Sequence, residues 1–452
     1  MFRYFLHVSP RDWPRLVHTC RKWRHIVFAS QRALRLRLFC THGTPVQRSL
    51  DCWPALPIVV QYGGSLELDP PAPEDEENIM AALKQSNRVI SINLIVTTPL
   101  QERLSTIESP FSELEDLVLL SHNSVRRLTH PSGFRSGRWG TRLRSLHLTR
   151  IDFLELPQLL YSSRDLVDLQ LHEVLYPLNF STEVLTNAFS GMTQLRSFSL
   201  HILPPSHTNY FSTIFAPRKR VALPSLTRFD FQGTTDFLKG LVAGIDAPHL
   251  GVIEVTCVNE SNSDSDLSIL FRFIDRIKMC KSLHRADILS SEYDITLSLT
   301  QPRGHTCLLL RLLCGKPLTV QLFSMAQICI QFSALLFNVE DLRINVKQLG
   351  GPYNESWLEA VNLFIGAKWL KISGNLSSDV VNSLHPQHST SRWRESLLPA
   401  LHVLQPEPCH TSLREAIVSL MTPWRRRRFG HLIAVGDEQV LHPGELRSTG
   451  TV

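Results

Sequence analysis

One short pattern recurs ten times along the chain: an apolar residue, two others, an apolar residue, one other, an apolar residue. Leu114-x-x-Leu117-x-Leu119, Leu143-x-x-Leu146-x-Leu148 and Leu166-x-x-Leu169-x-Leu171 are the cleanest copies. The same spacing returns at Val89, Leu195, Leu226, Leu250, Val339, Ala367 and Leu398, mostly 23 to 31 residues after the previous copy. Within each copy the alternation of the last three positions is that of a strand, whose successive side chains point to opposite faces. A period of this length holds one strand and a return segment, and such units are built to stack. A single unit cannot bury its inner face alone, so its neighbours must cover it. The expected fold is therefore α/β, a solenoid of parallel strands with helices on the outer face. Leu117 and Leu119 are expected to turn inward, and residues such as Arg144, Ser145 and His147 to line the open face.

Between the repeats, segments 183–194, 235–245, 265–280 and 355–365 carry helical periodicity. Asp69-Pro-Pro-Ala-Pro-Glu-Asp-Glu-Glu77 reads as a turn feeding a helix through about Gln85, with Glu74 to Glu77 complementing the dipole at its start. Ahead of the repeats, Leu34–Leu38 and Pro57–Tyr62 read as short strands. Leu16, Cys20, Trp23 and Val27 recur at i, i+4, i+7 and i+11, one face of a helix that opens near Pro14. The series breaks between 258 and 338. There a polar loop, Glu260 to Asp266, precedes strand-like segments 286–290, 293–300 and 307–314, too closely spaced for a full unit. Hairpin-like excursions from the solenoid are expected in that stretch.

With 43% hydrophobic residues, 452 residues suffice for a continuous core, and a formal net charge of +6 with scattered Lys and Arg gives nucleic-acid binding little support. The one dense cluster, Trp424-Arg425-Arg426-Arg427-Arg428, reads either as a localisation or nucleic-acid element or as a solvated end. The nine cysteines form no C-x-x-C pair and no zinc-finger spacing. Arg3, His7, Arg11 and Asp12 interrupt any signal-peptide core, and no stretch of 18 apolar residues occurs, so a membrane is not an expected partner. Reduced thiols and a cytoplasmic or nuclear location are expected.

Signatures of catalysis are missing. Gly315-Lys316 is followed by Pro317 and lacks the glycine five residues earlier that a phosphate loop needs. Neither H-E-x-x-H nor G-x-S-x-G occurs. His201 and His207, six residues apart, read as loop histidines, not as a metal pair. The sequence thus gives no catalytic residue, no cofactor and no metal site.

At the N-terminus, Trp13-Pro-Arg-Leu-Val-His-Thr-Cys20-Arg-Lys-Trp23-Arg24 resembles the second half of an F-box. Reading on, Ile26–Ser30, Leu34-x-Leu36-x-Leu38, Cys40-Thr-His-Gly-Thr-Pro45 and Leu50-Asp-Cys-Trp-Pro54 are similar to the fungal, mushroom-type F-box proteins with leucine-rich repeats. The likeness runs on through Ile58–Tyr62 and the repeats. It implies a two-part adaptor: F-box helices docking a Skp-type adaptor of an SCF-type cullin–RING ubiquitin ligase, and repeats holding a protein substrate. Matched docking or F-box core positions are Phe2, Leu6, Leu16, Cys20 and Trp23. Met1–Leu6 matches only the end of the first F-box helix, so the F-box is expected to be incomplete.

The expected organisation is a partial F-box at 1–30, a connecting segment with short strands and one helix at 31–87, a leucine-rich-repeat-like solenoid at 88–422, irregular at 258–338, and a basic tail at 423–452. A stand-alone interaction scaffold without ligase association is the alternative.

Overall fold

The computed structural model describes most of residues 35–374, apart from 63–69, 122–141, 152–155, 176–180, 204–219, 259–266, 278–282, 314–317, 347–360 and several one- or two-residue gaps. Outside that span it describes Arg21, His25, Ala400 and short strands at 403–406, 433–436 and 439–440. The chain forms two compact units, Met1–Pro205 with Val221–Ser225, and Ser206–Arg220 with Leu226–Val452.

The first unit alternates strands and helices in the order β1 (Leu36–Phe39), α1 (Val46–Cys52), β2 (Ile58–Gln61), α2 (Pro73–Leu83), β3 (Val89–Val96), α3 (Thr98–Ser105), β4 (Asp116–Ser121), β5 (Ser145–Thr149), α4 (Leu156–Ser162), β6 (Asp168–Leu175), α5 (Thr182–Phe189), β7 (Ser197–Leu203) and β8 (Val221–Ala222). Each strand from β1 to β7 pairs in parallel with the next. Register follows the repeat. Ile92, Leu117, Leu146, Leu169 and Phe198 lie side by side, and so do Leu94, Leu119, Leu148, Leu171 and Leu200. All ten are buried, as are Val89, Leu114, Leu143, Leu166 and Leu195, which open each copy. A one-residue slip would carry both rows to the solvent side, so burial itself fixes the register.

A repeated backbone device starts each rung. The carbonyl of Glu115 accepts from the amides of both Arg144 and Ser145, at 2.7 and 3.0 Å. The Arg144 carbonyl does the same for Val167 and Asp168, and the Val167 carbonyl for Arg196 and Ser197. The turn before each strand is thereby tied to the next one.

Helix α2 shows how an acidic run is used. Glu74, Asp75 and Glu76 occupy its first turn, as the dipole favours. Asp75 and Glu76 are also buried. The Asp75 carboxylate accepts from the Ala72 amide at 3.0 Å, the Tyr62 hydroxyl at 3.3 Å and the His42 amide. Asn78 donates to the Thr41 carbonyl at 2.9 Å. Residues Thr41–Thr44 thus form a turn pinned by α2 through His42 and Thr41.

The second unit runs β9 (Arg228–Thr234), α6 (Thr235–Gly244), β10 (Ile245–Asp246), β11 (Val252–Val258), α7 (Ser268–Asp275), β12 (Arg285–Ser290), β13 (Asp294–Thr300), β14 (Thr306–Leu313), α8 (Leu318–Gln331), α9 (Ser333–Leu336), β15 (Asp341–Val346), β16 (Trp369–Gly374), β17 (Val403–Pro406), β18 (Ile433–Gly436) and β19 (Gln439–Val440). Its strands do not follow chain order. Strand β11 pairs in parallel with β9 on one side and β14 on the other; β13 then pairs antiparallel with both β14 and β12. Strand β12 pairs in parallel with β15, and β15 to β18 continue in parallel.

The connections explain this meander. Ser291–Tyr293 and Gln301–His305 are far too short for a parallel crossover, which takes a dozen residues or more, and long enough for a hairpin. Gly304 supplies the left-handed residue of the second turn, at a φ of 81°. Phe229, Phe231, Phe273 and Phe332 anchor the core of this unit and are fully buried.

In both units, then, the fold is α/β, with long and mostly parallel strand ladders and helices in the connections. Among the described residues no helix is long and apolar enough to cross a membrane.

Candidate interaction surface

Period-2 alternation leaves the outward positions of β3–β7 free to be polar, and in register they form rows across the first unit. One row reads Ser91, Asp116, Ser145, Asp168, Ser197; the next reads Asn93, Val118, His147, Gln170, Ser199. Most of these side chains are half-buried, and Ser199 is buried. Ser145 and His147 stand on this face as their alternation requires. Arg144 precedes β5 and is exposed, and its charge reaches Asp116 on this face. No outward position in these rows is Lys or Arg, although the chain holds 47 of them.

His147 is the hub of the face. Its Nε2 lies 2.7 Å from Asp168 Oδ2 and 3.2 Å from Ser145 Oγ. Ser, His and Asp in contact suggest a catalytic relay, but the geometry is wrong for one. A relay needs the carboxylate on one ring nitrogen and the hydroxyl on the other. Here both meet Nε2, so a proton donated to Asp168 leaves no base for Ser145.

The two carboxylates in the first row differ. Partial burial raises the Asp168 carboxyl, but the His147 hydrogen bond and charge, with help from Ser197 and Gln170, outweigh it and hold the group below its ordinary range. Asp116 goes the other way: burial, then the charge of neighbouring Glu115, push it up against the more distant Arg35, His147 and Arg144.

Towards the C-terminal ends of the strands a bulge interrupts β6 between Leu171 and Val174, so that His172 and Glu173 together oppose β7. His172 Nε2 lies 2.9 Å from Ser199 Oγ, and the His172 and His201 rings stack with centroids 4.2 Å apart. The bulge is clasped from β5. Arg150 Nε and Nη2 donate to the Glu173 carboxylate at 2.6 and 2.9 Å, and the Arg150 amide donates to the His172 carbonyl at 3.0 Å. Both partners are left-handed, with φ of 60° and 52°. Two non-glycine residues hold that conformation only where surrounding contacts enforce it.

The outward face of the second unit has a different chemistry. Arg228 meets Glu254 at 3.0 Å, Arg285 meets Asp287 at 3.0 Å, Arg343 meets Asp341 at 3.1 Å, and Arg311 meets Asp294. Its charges are matched in cross-strand and same-strand pairs. Leu289 and Trp369, 45% and 53% exposed, are the large apolar side chains among them.

Asp168, Gln170, His172, Ser199 and His201 carry no motif of their own. Their signal is positional. Asp168, Gln170 and Ser199 sit between inward residues of a repeat, as Ser145 and His147 do. His172 and His201 each follow the last inward residue of a copy, His201 on strand β7 and not in a loop. The docking positions expected from the N-terminal resemblance, Phe2, Leu6, Leu16, Cys20 and Trp23, lie outside the described residues, as does Trp424–Arg428. No protein-family model matches the chain, and no curated protein matches it.

Proposed function

We propose that the chain is a recognition subunit of an SCF-type ubiquitin ligase. In this reading the stacked strand-and-helix units are leucine-rich-repeat-like, the outward strand face holds a protein substrate, and the F-box-like segment at 1–30 docks a Skp-type adaptor. The chain itself carries out no chemistry; partner enzymes transfer ubiquitin. The observation that supports it most is the polar face of β3–β7. Five parallel strands present hydroxyl, amide, imidazole and carboxylate groups in register, on a frame whose apolar rows are wholly buried. Laterally ordered polar groups with no relay geometry suit binding rather than turnover. The N-terminal Cys20-Arg-Lys-Trp23-Arg24 resemblance supplies the ligase half.

Co-purification of the full chain with a Skp-type adaptor tests this directly. Wild type is expected to retain the adaptor and Trp23→Ala to lose at least tenfold of it, Trp23 being an aromatic anchor of the docking helix. Failure of wild type to bind the adaptor would overturn the ligase assignment and leave a stand-alone scaffold.

A further inference from the structure

We propose that the β3–β7 face of the first unit docks an extended partner segment bearing lysine or arginine, its cations seated at Asp116 and Asp168. This deepens the reading of that face as the substrate surface and rests on it. The two carboxylates occupy one register row, separated by Ser145 on the intervening strand and flanked by Ser91 and Ser197. Strands lie about 4.8 Å apart, so the carboxylates stand roughly 10 Å apart, a span that two long cationic side chains of an extended segment cover.

Charge complementarity carries the choice of occupant. The outward rows of β3–β7 hold two aspartates and no Lys or Arg, whereas the face of the second unit neutralises its carboxylates with arginines. Among the described residues no side chain forms a hydrogen bond or ion pair with Asp116. Burial and Glu115 raise its pKa, outweighing the charges of Arg35, His147 and Arg144, so the free protein bears the cost of a half-buried carboxylate. An arriving ammonium or guanidinium relieves that cost. Asp168 accepts one contact from His147, at 2.7 Å, which an arriving guanidinium can replace with a two-pronged, charge-assisted one. The Ser91 hydroxyl and the Asn93 amide, on β3, are placed to meet the backbone of an extended segment.

The proposal separates binding from stability. The full chain is titrated with fluorescent peptides of equal length, rich in lysine and arginine, in glutamate, or in neutral polar residues, at low and high salt. Wild type is expected to favour the basic peptides by about tenfold and to lose that preference in high salt. Asp116→Asn is expected to weaken basic-peptide binding about tenfold while its thermal midpoint stays equal to wild type or rises. A merely structural role for Asp116 would lower that midpoint instead. Equal binding of all three peptides by wild type, preference for the acidic ones, or unchanged basic-peptide binding by Asp116→Asn each overturn the proposal. Should Asp116→Asn fail to fold, the salt dependence and charge preference of wild type decide the matter alone. The ligase assignment is read separately, by adaptor co-purification, so either can fail without the other.

Discussion

Asp168 and His147 hold each other across β5 and β6 by a bond that depends on the carboxylate being ionised. Because the folded-state pKa of Asp168 lies below its unfolded value, the stabilisation is complete above the ordinary carboxylate pKa near 4. It disappears as pH falls through the lower, folded value. Asp168→Asn is expected to lower stability by about 1 kcal/mol at pH 7, the bond being partly screened at 29% exposure. In urea titrations the gap between variant and wild type should close as pH drops below about 4; a gap that persisted there would show the charge to be irrelevant. Gly366 has a different constraint. A Cβ at that position would collide with the Phe337 carbonyl oxygen, a backbone atom that cannot swing away as a side chain can. Gly366→Ala is expected to cost about 1–3 kcal/mol in the same assay. Neither constraint is legible in the sequence, since each depends on what a distant residue brings near. The inward leucines are legible, because their burial follows from spacing alone.

Helices α3, α5 and α6 begin with small hydroxyl caps, Thr97, Ser181 and Thr234, and the caps are not equivalent. Ser181 and Thr97 both accept from the amide three residues on, at 3.3 Å. The Thr97 hydroxyl also donates to buried Glu76 at 2.8 Å, joining α2 to α3. Ser181→Ala should therefore cost about 1 kcal/mol at most, the usual loss of an exposed cap. Thr97→Ala should cost about 2, because it also strips a donor from a buried carboxylate. Equal losses in chemical denaturation would mean that the Glu76 contact contributes nothing. Spacing placed most strands to within a residue or two: 286–290, 293–300 and 307–314 became β12, β13 and β14. Helices expected over 183–194 and 265–280 are shorter, ending at Phe189 and Asp275. Order within the sheet was not legible in the same way. Short links announce hairpins, but that β14 returns to β11 while β12 pairs with β15 is decided by long-range packing, on which periodicity is silent.

At the scale of the whole molecule, each unit closes its own core, and buried thiols report on both. Cys40 lies in the first unit; Cys257, Cys307 and Cys329 lie in the second, and all four are buried, whereas Cys52 is exposed. Burial pushes the thiols of Cys40, Cys257 and Cys329 up to about 12. Protonated and inaccessible, they cannot attack an alkylating reagent at pH 8, whereas the exposed Cys52 is open to it. Iodoacetamide followed by peptide mass spectrometry should accordingly modify Cys52 in the folded chain and spare the other four. Urea then turns the labels into a stability map. In stacked repeats each unit leans on its neighbours, so unfolding spreads through a ladder instead of stopping at one strand. Cys257 sits on β11, Cys307 on β14 and Cys329 on α8, elements tied together by the β11–β14 pairing and by the chain that runs on from β14. These three are expected to become reactive at one common urea concentration. Widely separated midpoints for Cys257 and Cys307 would mean that the meander is a loosely attached insert and not part of the cooperative core. Their coincidence would establish that the second unit absorbed a three-strand meander without breaking the cooperativity of its core.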